Sequence, residues 1–135
     1  MNVIIHTNKN GNVSVTVPTG EISIEEVLAK DCPTGAIIVD SLELPEEHND
    51  FFNAWELVEG RVTVNLEKAK LITKERLRTE RTPLMLVQDI AYSRATETDA
   101  NTTAIIAEKN RLRDVTKLVD AIATLEELRG LNCLA

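Results

Sequence analysis

A chain of 135 residues with 22 acidic and 15 basic side chains, net charge −7, is long enough for one domain or two small lobes and too short for a second large domain. The charge is uneven: residues 1–60 carry eleven acids against Lys9 and Lys30, whereas residues 66–81 carry six bases against three acids. The acidic first half is excluded as a nucleic-acid surface, and the short positive stretch reads as a solvated helix face or the mate of an acidic neighbour.

In chain order, Val3-Ile4-Ile5-His6 and Val13-Ser14-Val15-Thr16-Val17 are β-branched runs joined by Asn8-Lys9-Asn10-Gly11-Asn12, whose residues tolerate positive φ. A β-hairpin is predicted. Ser23 with Glu26 forms a capping-box pattern opening a short helix through Lys30, which Cys32-Pro33-Thr34-Gly35 stops; Ala36-Ile37-Ile38-Val39 is a third strand. The acidic, Pro45-containing stretch Leu42–Asp50 is expected to be a surface loop. Phe51, Phe52 and Trp55 bring in most of the aromatics and should anchor a small core. A last hairpin runs from Trp55–Val58 through Glu59-Gly60 to Arg61–Val64, giving one small sheet of about five strands.

From Leu66 the period changes to that of a helix, with Leu66, Ala69, Ile72 or Thr73, Leu77, Leu84, Val87 and Ala91 near one stripe. This helix should reach about Thr96. Thr82-Pro83 interrupts it as a kink or as the cap and first turn of a new helix, and the phase kept from Leu77 to Leu84 favours a kinked continuous helix. After a polar turn at residues 97–101, with Asn101 or Thr102 as N-cap, a second helix carries Ile105, Leu112, Val115, Val119 and Ile122 at seam spacings. Two stripes joined by so short a connection should pack antiparallel. Thr124 and Glu127 open a last short helix ending at Gly130. The expected architecture is α+β: a small N-terminal antiparallel β lobe with one short helix (residues 1–65), followed by a C-terminal antiparallel helical hairpin with a short terminal helix (residues 66–135).

The chemistry of the side chains points away from catalysis. His6 and His48 have no cysteine, histidine or carboxylate at metal-ligand spacing, and no GxSxG, Walker-type or GxGxxG pattern occurs. The acidic doublets Glu25-Glu26, Glu46-Glu47 and Glu126-Glu127 would point about 100° apart on a helix, not at one reaction centre. No enzyme activity, cofactor or metal is expected. Cys32 and Cys133 have no partner at CxxC spacing and read as two reduced thiols, with an inter-chain disulfide at Cys133, near the terminus, as the alternative. No segment approaches the roughly 20 apolar residues that cross a bilayer, and the start has no signal-peptide pattern, so a soluble protein is expected.

The charged run Lys74-Glu75-Arg76-Leu77-Arg78-Thr79-Glu80-Arg81 reads either as a solvated face with Glu–Arg pairs or as an arginine face docking an acidic partner. In Arg111-Leu112-Arg113-Asp114 the leucine is core by its phase. Asp114 is placed to pair across the hairpin with Arg78 or Arg81 as a clasp.

Several pieces together resemble a known family: Phe52-Asn53-Ala54-Trp55-Glu56, Val62-Thr63-Val64-Asn65, Lys68-Ala69-Lys70, Leu77-Arg78-Thr79-Glu80-Arg81, Pro83-Leu84, Asp89, Arg94-Ala95, Glu97 and Lys109-Asn110-Arg111-Leu112-Arg113-Asp114. The pattern, with the opening Val3-Ile4-Ile5-His6-Thr7-Asn8, is similar to small tail proteins of tailed bacteriophages, including the phage tail assembly chaperone family. It covers about two-thirds of the chain, and its strongest element is the pairing of LRxxR with a later LRD. The resemblance implies a non-enzymatic tail or tail-fibre assembly protein that binds a tail or fibre polypeptide through its β lobe and helical hairpin. It would act in the host cytoplasm during assembly, without nucleic-acid or membrane partners. A subunit retained in the mature virion tail is the alternative, and a homo-oligomer is compatible with either. Trp55, Arg76, Arg78 and Arg81 are the expected partner contacts.

Overall fold

The computed structural model describes residues 1–134. Helix makes up 57% of the chain and strand 16%, with every strand N-terminal to the two long helices, so the fold is α+β. By contacts the chain divides into two compact units, Met1–Ala69 and Lys70 onward.

In the first unit, β1 (Asn2–Thr7) lies between β2 (Val13–Thr16) and β3 (Ile37–Asp40), antiparallel to both. The β1–β2 turn closes because the Asn8 carboxamide accepts from the Asn10 and Asn12 amides at 3.0 and 3.1 Å while Gly11 takes φ +80°, open to glycine at no steric cost. Ser23 caps α1 (Ile24–Asp31), accepting from the Glu26 amide as its spacing predicts. The turn between β4 (Trp55–Val58) and β5 (Arg61–Val64) has positive φ at both Glu59 and Gly60, the twist that a two-residue hairpin needs.

The five strands do not make one sheet. Residues 41–54 run as two 3-10 segments, Ser41–Glu43 and Glu46–Ala54, in place of the expected open loop. They bury Phe51 and Ala54 and deliver β4 and β5 as a separate two-stranded ribbon. Strand pleating sends alternate residues to opposite faces. Val3, Ile5 and Val13 of the first sheet therefore form a core with Trp55, flanked by Val15, Ile37, Val39, Leu57, Val62 and Val64. Ile4, on the other pleat, is fully buried, and α1 contacts β1 and β3. Each such aliphatic side chain removed from water contributes roughly 1.5–3 kcal/mol.

Asn65 caps α2 (Leu66–Glu97), its side-chain oxygen accepting from the Lys68 amide at 3.1 Å while its side-chain amide donates to Glu56. Lys68 returns to Glu56 at 2.9 Å and to the Gly11 carbonyl at 3.4 Å, fastening the first turn of the helix to the β unit.

In the second unit α2 continues unbroken through Pro83, in line with the preserved apolar phase. It turns at residues 98–102 into α3 (Thr103–Asp114), and Lys109 of α3 reaches Asp89 and the Tyr92 ring. Arg81 of α2 reaches the end of α3 at Leu112 and Arg113. These pairings run antiparallel. The second helix is shorter than its seam suggested, because after Asp114 the chain tightens into a 3-10 segment, Val115–Ala121, and is extended at Ile122. Thr124 then caps α4 (Leu125–Gly130) as expected.

The buried residues of this unit are Thr73, Leu77, Leu112, Val115, Val119, Leu128 and Cys133. All lie where α2, the end of α3, the 3-10 segment, α4 and the tail converge. From Leu84 to Arg111 none of the described residues is fully buried, so the hairpin has a packed base and a thin two-helix arm. Val87, assigned by spacing to the inner stripe, is 58% exposed.

Candidate protein-binding surfaces

The arginines singled out in the sequence are engaged within the chain. Arg81 donates to the carbonyls of Leu112 and Arg113, both at 3.3 Å, groups left without helical partners where α3 ends. Arg76 donates to the Leu128 carbonyl at 3.0 Å and to Glu80 at 2.8 Å. Arg111 does the same for the tail, donating to the Cys133 carbonyl at 2.8 Å while two bonds to Glu108 orient its fork. Arg78, paired with Glu75 on the exposed side of α2, is the most open of the three proposed arginine contacts.

Trp55 is 2% exposed. Its ring tilts against Phe52 with centroids 4.9 Å apart, and its indole N–H donates to the His48 carbonyl. A partner contact at Trp55, as expected from the sequence, would have to reach an indole that already has an apolar bed and a polar acceptor inside the lobe. The Asp114 clasp is corrected. Asp114 pairs with Lys117 three residues on, at 2.9 Å, and Arg81 closes the hairpin on main-chain oxygens instead. The signal for this was a long cation opposite a helix C-terminus, where orphaned carbonyls are the nearer acceptors.

The other cations of residues 66–81 are held as well: Lys70 by the Asp120 carbonyl and Lys74 by the Asp120 carboxylate at 2.8 Å. Both cysteines are free thiols. Cys133 is not on a loose end. It is 1% exposed, donates its S–H to the Leu77 carbonyl at 3.2 Å and its N–H to Glu80, and burial pushes its thiol above the ordinary range. His6 is half-buried on β1, with Nδ1 enclosed and lacking a hydrogen-bond partner among the described residues. No group of three or more histidine, cysteine or acidic side chains placed to hold a metal occurs among the described residues, and no helix there is long and apolar enough to cross a membrane.

The fold leaves apolar surface open in each unit. In the β unit a groove of about 330 Å3 is lined by Ile5, Val39, Leu44 and Val62 together with Glu43, Gly60, Arg61 and Thr63. Two strand edges contribute to it, since among the described residues β3 pairs only with β1 and β5 only with β4. Sequence reasoning missed this groove because it forms between two sheets. In the helical unit the arm exposes Leu86 (59%), Val87 and Ile90 (45%) on α2. Compared with protein-family models, with curated proteins and with solved structures, the chain matches none of them.

Proposed function

We propose that this chain is a non-enzymatic binding protein of bacteriophage tail assembly, whose β unit receives an extended stretch of a tail or tail-fibre polypeptide. The observation that carries this reading is the apolar groove between β3 and β5, each with one side unpaired. An extended segment laid there gains main-chain hydrogen bonds from a strand edge and pockets for alternate side chains, which is how strand addition combines affinity with specificity. The likeness of the LRxxR and LRD segments to phage tail proteins supplies the biological setting. On this reading Arg81 braces the helical unit, while Arg78, paired with Glu75 on the exposed side of α2, stays open to a partner. The protein acts in the host cytoplasm while tails are built, shielding apolar surface of an unassembled subunit.

The test is affinity capture from infected cells with the full chain and with Thr63→Arg, which places bulk in the groove from an exposed position outside the core. The full chain is expected to retain a tail or fibre polypeptide, and the variant to lose at least about tenfold in retention at an unchanged melting temperature. Equal capture by both would reject the groove. Mass spectrometry of purified particles separates an assembly factor, absent from virions, from a retained subunit present in stoichiometric amounts.

A further inference from the structure

We infer that the arm of the helical unit pairs with a second copy of this chain, α2 against α2 in antiparallel register about Val87. On α2 the groups that meet α3 are Arg81, Asp89 and Tyr92. At 3.6 residues per turn, Val87 and Ile90 fall on the opposite side of the helix, with Leu86 at the border beside Asp89, and the three are 58%, 45% and 59% exposed. Pro83 precedes them by one turn and is also exposed. The spacing 83, 86/87, 90 is that of a two-helix seam, apolar every three to four residues.

The charges beside this seam choose the occupant and its direction. Glu80 and Arg94 flank it at either end, and Val87 is their midpoint in the sequence. A twofold axis at Val87 in an antiparallel pair sets Glu80 of each copy against Arg94 of the other. A parallel pair would set Arg94 against Arg94 and Glu80 against Glu80, which is repulsive. Among the described residues Arg94 is exposed and makes no ion pair within the chain. Glu80 is already held in place by Arg76 and the Cys133 amide, and its carboxylate has further lone pairs for a second guanidinium. The apolar centre is short, so the dimer belongs with the small interfaces, below about 1,200 Å2, and dissociates on dilution. This surface is on the helical unit and separate from the groove, so self-association stands or falls independently of the tail-polypeptide reading.

The experiment is sedimentation equilibrium of the full chain alone over a wide concentration range. The mass is expected to rise from 15.0 kDa toward twice that value as concentration increases. The double variant Leu86→Lys with Ile90→Lys, at solvent-exposed positions, should raise the dissociation constant at least about tenfold, with circular dichroism and melting temperature measured at dilution unchanged. Arg94→Glu should raise it at least about fivefold, because it opposes two acids in each antiparallel contact. A monomer mass at the highest soluble concentration, or a dissociation constant unmoved by the double variant, would overturn the proposal. A dimer indifferent to Arg94→Glu would overturn the antiparallel register.

Discussion

At the scale of single residues, the arginines determine how the helical unit closes. A guanidinium has five donors in a planar fork and no acceptor, so beside a helix end it satisfies carbonyls that would otherwise face water or nothing. Arg81 does this for Leu112 and Arg113, whereas Asp114 pairs with an exposed lysine of its own turn. Replacing Arg81 by alanine is therefore expected to cost about 1–2 kcal/mol in chemical denaturation. Asp114→Ala should change stability by less than about 0.5 kcal/mol, since an exposed pair within one turn contributes little. The reverse ranking would mean that the carboxylate, not the carbonyls, is the clasp.

At the scale of elements, α2 is one continuous helix with two mechanical roles. Its first turn is fixed by the Asn65 cap and by the Lys68–Glu56 pair. Its middle turns carry Thr73 and Leu77 into the packed base, and its last turns leave Leu86, Val87 and Ile90 exposed. Two leucines nine residues apart on the same helix should thus respond differently to truncation. Leu77→Ala, at a fully buried site, is expected to cost about 3 kcal/mol. Leu86→Ala should cost under about 0.5 kcal/mol in thermal unfolding at concentrations where the chain is monomeric. The same helix bears the cations of residues 66–81, each with an acceptor in the chain, so a phosphate backbone would have to displace existing contacts before gaining new ones.

At the scale of the whole molecule, carboxylates of both units are held below their ordinary range. Asp40 is lowered by the Leu42 amide, Glu56 by Lys68 and then Asn65, Glu108 by Arg111, and Asp120 by Lys74. A carboxylate with a lowered folded value stabilises the fold above its unfolded value and loses that contribution as pH falls through the folded one. Two of these groups lie in each unit, so neither is exempt from acid. The melting temperature is expected to be level between about pH 6 and 8 and to decline progressively below about pH 4. Glu56→Gln should flatten part of that decline, and an acid limb of unchanged steepness in this variant would remove Glu56 from the account.

The sequence alone determined the local elements, because their signals are local. Asn8 to Asn12 close a turn, Ser23 and Thr124 cap helices, Glu59-Gly60 turns a hairpin, and the change of apolar period at Leu66 marks where strands give way to helices. The α+β class follows from these in order. Tertiary structure decided what each residue faces, since burial and hydrogen-bond partners depend on groups far away in the chain. It split the five strands into two sheets, drew Trp55 inward, ended α3 at Asp114 and docked Cys133 on Leu77 and Glu80. It also turned Val87 outward, because a spacing that fits two adjacent stripes on a helix is resolved only by which side the neighbouring helix takes.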